Sequence, residues 1–180
     1  VEPGEAATFD QAANSCLADG HVGAATVTST GSPIVSTAVE VGSNGLFAYN
    51  GFTAADGSET PVVPFLSANN FGFHTGLQVQ NQGDTDTDVT VSYTPAGAGT
   101  ACEETITIVA GTQETFALFA FSFAGDTTND CTLGEMFVGS AAVTVNTESQ
   151  PLVAIVNSTD LSRYGSAYNA FNPSNATDTV

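Results

Sequence analysis

Short apolar-rich runs, most of them alternating between apolar and polar residues and separated by turn formers, occupy most of the chain. They fall at 22–30, 34–41, 75–81, 88–94, 104–109, 114–121, 137–145 and 151–157, and are rich in Val, Ile, Thr and Phe. In 88–94, Val89, Val91 and Tyr93 share one face, while Asp88, Thr90, Ser92 and Thr94 share the other, the period expected of a half-buried strand. Turn formers such as Gly31-Ser32-Pro33, Gly83-Asp84, Pro95-Ala96-Gly97 and Gly111-Thr112 lie between the runs. No stretch sustains a helical stripe, and residues 5–16 are the one helix candidate. The pattern predicts an all-β fold, an antiparallel β-sandwich of the Ig-like or jelly-roll-like kind.

Part of the chain occurs twice. Cys16 followed by Val22-Gly23-Ala24-Ala25-Thr26-Val27 returns as Cys131 followed by Val138-Gly139-Ser140-Ala141-Ala142-Val143. Pro33-Ile34-Val35-Ser36-Thr37-Ala38-Val39 returns as Pro151-Leu152-Val153-Ala154-Ile155-Val156, and Ala48-Tyr49-Asn50-Gly51-Phe52 as Ala167-Tyr168-Asn169-Ala170-Phe171. Several matched blocks in one order mark an internal repeat. The middle, about 60–126, has no second copy, so the chain carries one and a half repeats. The expected organisation is an N-terminal half-repeat over 1–60, a complete sandwich over 61–171 and a C-terminal tail over 172–180. Half a sandwich cannot bury its own apolar face, at about 1.5–3 kcal/mol for each large side chain left in water, and its edges offer unpaired amides and carbonyls. Either the middle segment covers both repeated halves within the chain or strands of a neighbouring copy do, and for the second the tail is the candidate inter-subunit strand.

The runs Pro64-Phe65-Leu66, Phe73-His74-Thr75-Gly76-Leu77-Gln78-Val79-Gln80-Asn81 and Val89-Thr90-Val91-Ser92-Tyr93, with Phe137-Val138-Gly139-Ser140-Ala141, Pro151 to Asn157 and Ala167-Tyr168-Asn169, carry a resemblance. They are similar to a tandem β-sandwich repeat module of secreted and surface-attached bacterial proteins. The resemblance covers about 61–171, with a second partial copy at 16–60. It implies a fold and an extracellular or cell-surface compartment, after removal of a signal peptide, and brings no catalytic residues.

Charge narrows the function classes. The 180 residues include 19 Asp and Glu against one basic residue, Arg163, for a formal net charge of −18. Such a chain cannot neutralise phosphates, so nucleic-acid partners are excluded, as is attraction to an anionic membrane. No apolar run is long enough to span a bilayer, so no membrane insertion is expected. With two histidines, His21 and His74, no lysine and no nucleophile motif such as GxSxG, the chain is read as no enzyme and as needing no cofactor. His74, beside Phe71 and Phe73, reads as a structural histidine.

Other candidates have narrower readings. Asp84, Asp86 and Asp88 alternate, a spacing at which oxygen ligands could hold Ca²⁺. The EF-hand pattern also wants Gly at its sixth position, which Val89 occupies, so a solvated hairpin is expected there. Within the contiguous module the disulfide is expected between Cys102 and Cys131, with Cys16–Cys102 as the alternative and the odd thiol free or joining subunits. Asn157-Ser158-Thr159 and Asn175-Ala176-Thr177 are glycosylation sequons. Phe119, Phe121 and Phe123 alternate and are expected to face the core. The functional expectation is a homopolymer: a structural subunit of an extracellular, pilus-like filament or surface appendage, assembled by inter-subunit strand complementation and sandwich packing. The alternative is a surface-displayed adhesion or glycan-binding module.

Overall fold

Whether a strand-like run becomes a strand depends on a neighbour for its amides, and the two ends of this chain differ in that respect. The computed structural model describes residues 1–42, 45–116, 128–160, 162 and 164–176. The chain divides into two units, Val1–Val35 and Ser36–Val180. In the first, the helix candidate 5–16 reduces to one 3-10 turn, Gln11–Ala13, capped by the Asp10 side chain, which accepts from the Ala12 amide at 3.0 Å. The strand expected over 22–30 does not form, and Val22 and Val27 stand exposed. Gly23, Ala24 and Ala25 supply too little side chain to hold a strand without a backbone partner.

The second unit is built from strands. Among the described residues they are β1 (Thr37–Gly42), β2 (Gly45–Asn50), β3 (Val62–Ala68), β4 (His74–Asn81), β5 (Thr87–Ala98), β6 (Cys102–Ile108), β7 (Gln113–Phe116), β8 (Thr128–Asn129), β9 (Phe137–Val145), β10 (Leu152–Thr159) and β11 (Gly165–Asn169). A four-stranded sheet has the order β11-β10-β4-β7 and a five-stranded sheet the order β3-β9-β5-β6-β8, while β1 and β2 form a two-stranded hairpin. All these pairings are antiparallel. The fold is an all-β sandwich.

Alternation explains the core. In β4 the inward positions Thr75, Leu77, Val79 and Asn81 are buried and the outward ones half-buried. Leu77, Val79, Phe116, Leu152 and Val156 of the four-stranded sheet meet Val89, Val91, Tyr93, Ile108, Phe137 and Val143 of the other. Tyr93 and Phe137 meet edge to face with centroids 6.1 Å apart, a favoured aromatic geometry. Phe116 is buried as its strand pattern requires, whereas Phe119, Phe121 and Phe123 lie outside the described residues.

One glycine is dictated by a close approach. Where β5 passes β9 the register shifts between Pro95 and Ala98, and Gly139 lies opposite Pro95. A Cβ on Gly139 would stand 2.1 Å from the Thr94 carbonyl oxygen and 2.9 Å from the Pro95 Cα. The bulge at a residue without an amide hydrogen therefore needs glycine across from it.

The C-terminal tail begins on its own sandwich. Phe171 and Val62 exchange both backbone hydrogen bonds at 2.9 Å, and the Asn172 side-chain amide donates to the Gly57 carbonyl at 3.1 Å. Pro173–Asn175 then coils into a 3-10 turn. This part of the expected donor segment 172–180 is not an extended strand, because proline and the Asn172 cap start a turn; residues 177–180 lie outside the described ones.

Candidate functional site

The N-terminal copy of the repeat survives in the structure as one hairpin, and its register is that of the C-terminal copy. In β1 and β2, Thr37 pairs with Asn50, Ala38 with Tyr49 and Val39 with Ala48. In β10 and β11, Ile155 pairs with Asn169, Val156 with Tyr168 and Asn157 with Ala167. With Pro33 aligned on Pro151 and Tyr49 on Tyr168, these are the same three pairs. The closing bond is the same too: the Gly51 amide donates to the Ser36 carbonyl, as the Ala170 amide does to Ala154, each at 2.9 Å.

That bond decides which backbone groups are spent. Antiparallel residues alternate between facing the partner strand and facing away. Ser36 faces β2, so Thr37, Val39 and Val41 turn their amides and carbonyls to the outer edge of β1. In the sister hairpin the corresponding edge of β10 is occupied by β4, with Ile155 opposite Gln78 and Asn157 opposite Gly76. Among the described residues no strand takes that place on β1 and no backbone hydrogen bond reaches the edge.

The hairpin's faces are unequal. Ala38, Phe47 and Tyr49 are half-buried, with the Phe47 ring over Gly165, where a Cβ would lie 2.5 Å from the ring. The Asn169 side chain donates to the Asn50 carbonyl at 2.9 Å, and Asn157 to the Glu40 carboxylate at 3.5 Å. Burial, and then the charge of Glu40, raise the Tyr49 pKa above its ordinary value. On the other face Val39, Val41 and Leu46 are 57%, 75% and 58% exposed.

The remaining sequence candidates are placed apart. Asn81 and Gln150 hold the 82–86 turn: the Asn81 carbonyl oxygen accepts from the Gly83 amide at 2.8 Å, and Gln150 accepts from the Asp84 amide at 3.0 Å. The three aspartates therefore splay. Asp84 accepts from the Thr85 hydroxyl (3.3 Å), Asp86 from the Ala110 amide (2.9 Å) and Asp88 from the Thr107 hydroxyl (2.5 Å). Among the described residues the one group of potential ligand atoms within reach of a common ion is Cys102, Asp130 and Cys131, and its two sulfurs are bonded to each other. The expected alternation along one strand fails because β5 begins only at Thr87.

The structure joins Cys102 to Cys131 and leaves Cys16 exposed and free. The Asn157 side chain turns toward the β1–β2 hairpin with its carbonyl oxygen buried, whereas Asn175 stands exposed at the end of its 3-10 turn. His74 opens β4 and accepts from the Asn69 amide at 3.4 Å; His21 is exposed. A shallow, open depression is lined by Glu59, Ser149, Pro151, Asn172 and neighbouring hydroxyls, without an aromatic side chain.

One buried group escaped sequence reading. Glu104 is wholly buried on β6, where it accepts from the Tyr93 hydroxyl at 3.2 Å while its other oxygen has no partner. Burial pushes its pKa from 4.5 to about 7, with the Tyr93 hydrogen bond pulling the other way. Burial and the neighbouring carboxylate raise Tyr93 well above its usual range. The signal was present: Cys102, Glu104, Ile106 and Ile108 share one face of the strand, which puts the carboxyl among apolar residues.

No protein-family model, curated protein or solved structure matches this chain.

Proposed function

We propose that the chain is a structural subunit of an extracellular filament or surface appendage, which assembles by strand complementation and sheet packing between copies. One observation carries this reading. The β1–β2 hairpin repeats β10–β11 pair for pair, yet among the described residues it lacks the strand that β10 has in β4. An open strand edge beside exposed Val39, Val41 and Leu46 is a template for another chain. A strand supplied to that edge by a different segment of the neighbouring copy makes a head-to-tail contact, and such contacts build filaments when they do not close into rings. The Cys102–Cys131 disulfide accords with an oxidising compartment.

Purified protein is expected to form long fibres under negative stain that survive SDS until boiled. A monodisperse monomer at millimolar concentration would overturn the proposal.

A further inference from the structure

The vacant edge of β1 has a specified shape, because its sister edge is filled. Carried across the repeat, the β10–β4 register sets Val39 opposite the residue equivalent to Gly76, Thr37 opposite Gln78 and Val41 opposite His74. The incoming strand should run antiparallel, lack acidic residues beside Glu40, and place a small residue at the Gly76 position. Residues 21–28, His-Val-Gly-Ala-Ala-Thr-Val-Thr, have that form: although the repeat aligns 22–27 with β9, they begin His-x-Gly as β4 does from His74 to Gly76. No charged residue occurs from 20 to 39, although the chain carries −18 overall. The segment forms no strand and is exposed throughout.

We infer that residues 21–28 of a second copy of this chain dock as an added strand on the outer edge of β1, with Gly23 opposite Val39 and Ala24 opposite Ala38. The inference rests on the strand-complementation reading and names its donor and acceptor. Gly23 exchanges both backbone bonds with Val39, as the β10–β4 register requires of the corresponding residues. His21 falls opposite Val41 on the face that carries Val39 and Leu46, and the uncharged Val22 falls opposite Glu40, so the donor brings no like charge to that carboxylate. Backbone pairing gives the affinity and alternate side chains the register, as in other strand additions.

The test uses the full chain, diluted below any fibre formation, and a fluorescein-labelled peptide of residues 20–30. Saturable one-to-one binding by anisotropy is expected. Val39→Pro should weaken it at least ten-fold, because the Val39 amide faces outward and its loss leaves the β1–β2 ladder intact. N-methylation of the peptide at Gly23 should do the same, a change that cannot disturb the folding of the protein. N-methylation at Ala24, whose amide faces away, should have little effect. Absence of saturable binding, or binding indifferent to both Val39→Pro and Gly23 methylation, overturns the inference. Hydrogen-exchange protection of the Gly23 amide in the dilute monomer also overturns it, since the segment would then pair within its own chain. Fibres without peptide binding would remove this docking and leave the filament, whereas peptide binding without fibres would do the reverse.

Discussion

Glu104 shows how one residue sets the pH response of the whole sandwich. Burial favours its neutral form, raising the folded pKa to about 7 from the ordinary 4.5. The folded state therefore binds the proton more tightly, so the stability Glu104 contributes is fully present below pH 4.5 and is lost as pH rises through 7. The span is worth about 3 kcal/mol. Glu104→Gln should flatten the decline in melting temperature between pH 5 and pH 8 and melt higher than wild type at pH 8. An unchanged slope in thermal scans would show that general repulsion among the carboxylates, not Glu104, governs the response. Gly139 acts through space rather than charge. Gly139→Ala drives a methyl into the Thr94 carbonyl and should cost about 2–4 kcal/mol in denaturant unfolding; Gly111→Ala, with open space around it, is the control for φ strain alone, since Gly111 sits at φ +72.

At the scale of elements, the β1–β2 hairpin is where local pattern and tertiary context part company. Its sequence matches β10–β11 and its cross-strand pairs are the same, because equivalent cross-strand side-chain pairs set register locally. What differs is the neighbour. Exposed surface substitutions away from caps and cores shift stability by no more than about 0.5 kcal/mol. Val41→Thr with Leu46→Thr, a directly opposed pair that keeps strand-compatible side chains without adding like charges, should therefore leave the melting temperature near wild type while reducing fibre yield sharply. A large loss of stability instead would mean that this face is packed within the monomer. The 34–41, 75–81, 88–94, 137–145 and 151–157 runs were legible as strands because most alternate, while 151–157 is a short continuous run of Leu, Val, Ala and Ile between turn formers. Strands β2, β3 and β11 escaped notice: Gly45-Leu46-Phe47 and Gly165-Ser166-Ala167 open on glycine, and β3 is bent by a register shift between Val63 and Leu66.

For the whole molecule, a net charge of −18 opposes bringing copies together. Assembly should therefore be promoted by monovalent salt as screening shortens the reach of like-charge repulsion. Light scattering at 0.02 M and 0.5 M NaCl checks this, and an assembly rate that falls with salt would count against it. The sequence by itself determined the fold class, since alternation of period two and frequent turn formers admit little else, and it determined the repeat. It also pointed to Cys102 and Cys131, which the structure joins. It could not tell that 22–30, as strand-like in composition as β9, would form no strand, because pairing is a property of two segments and not of one. Only the tertiary structure decided which edge is left open, that the Asp84, Asp86 and Asp88 carboxylates go to separate partners, and that Glu104 is sealed in the core: each depends on which groups long-range contacts bring within hydrogen-bonding distance or remove from water.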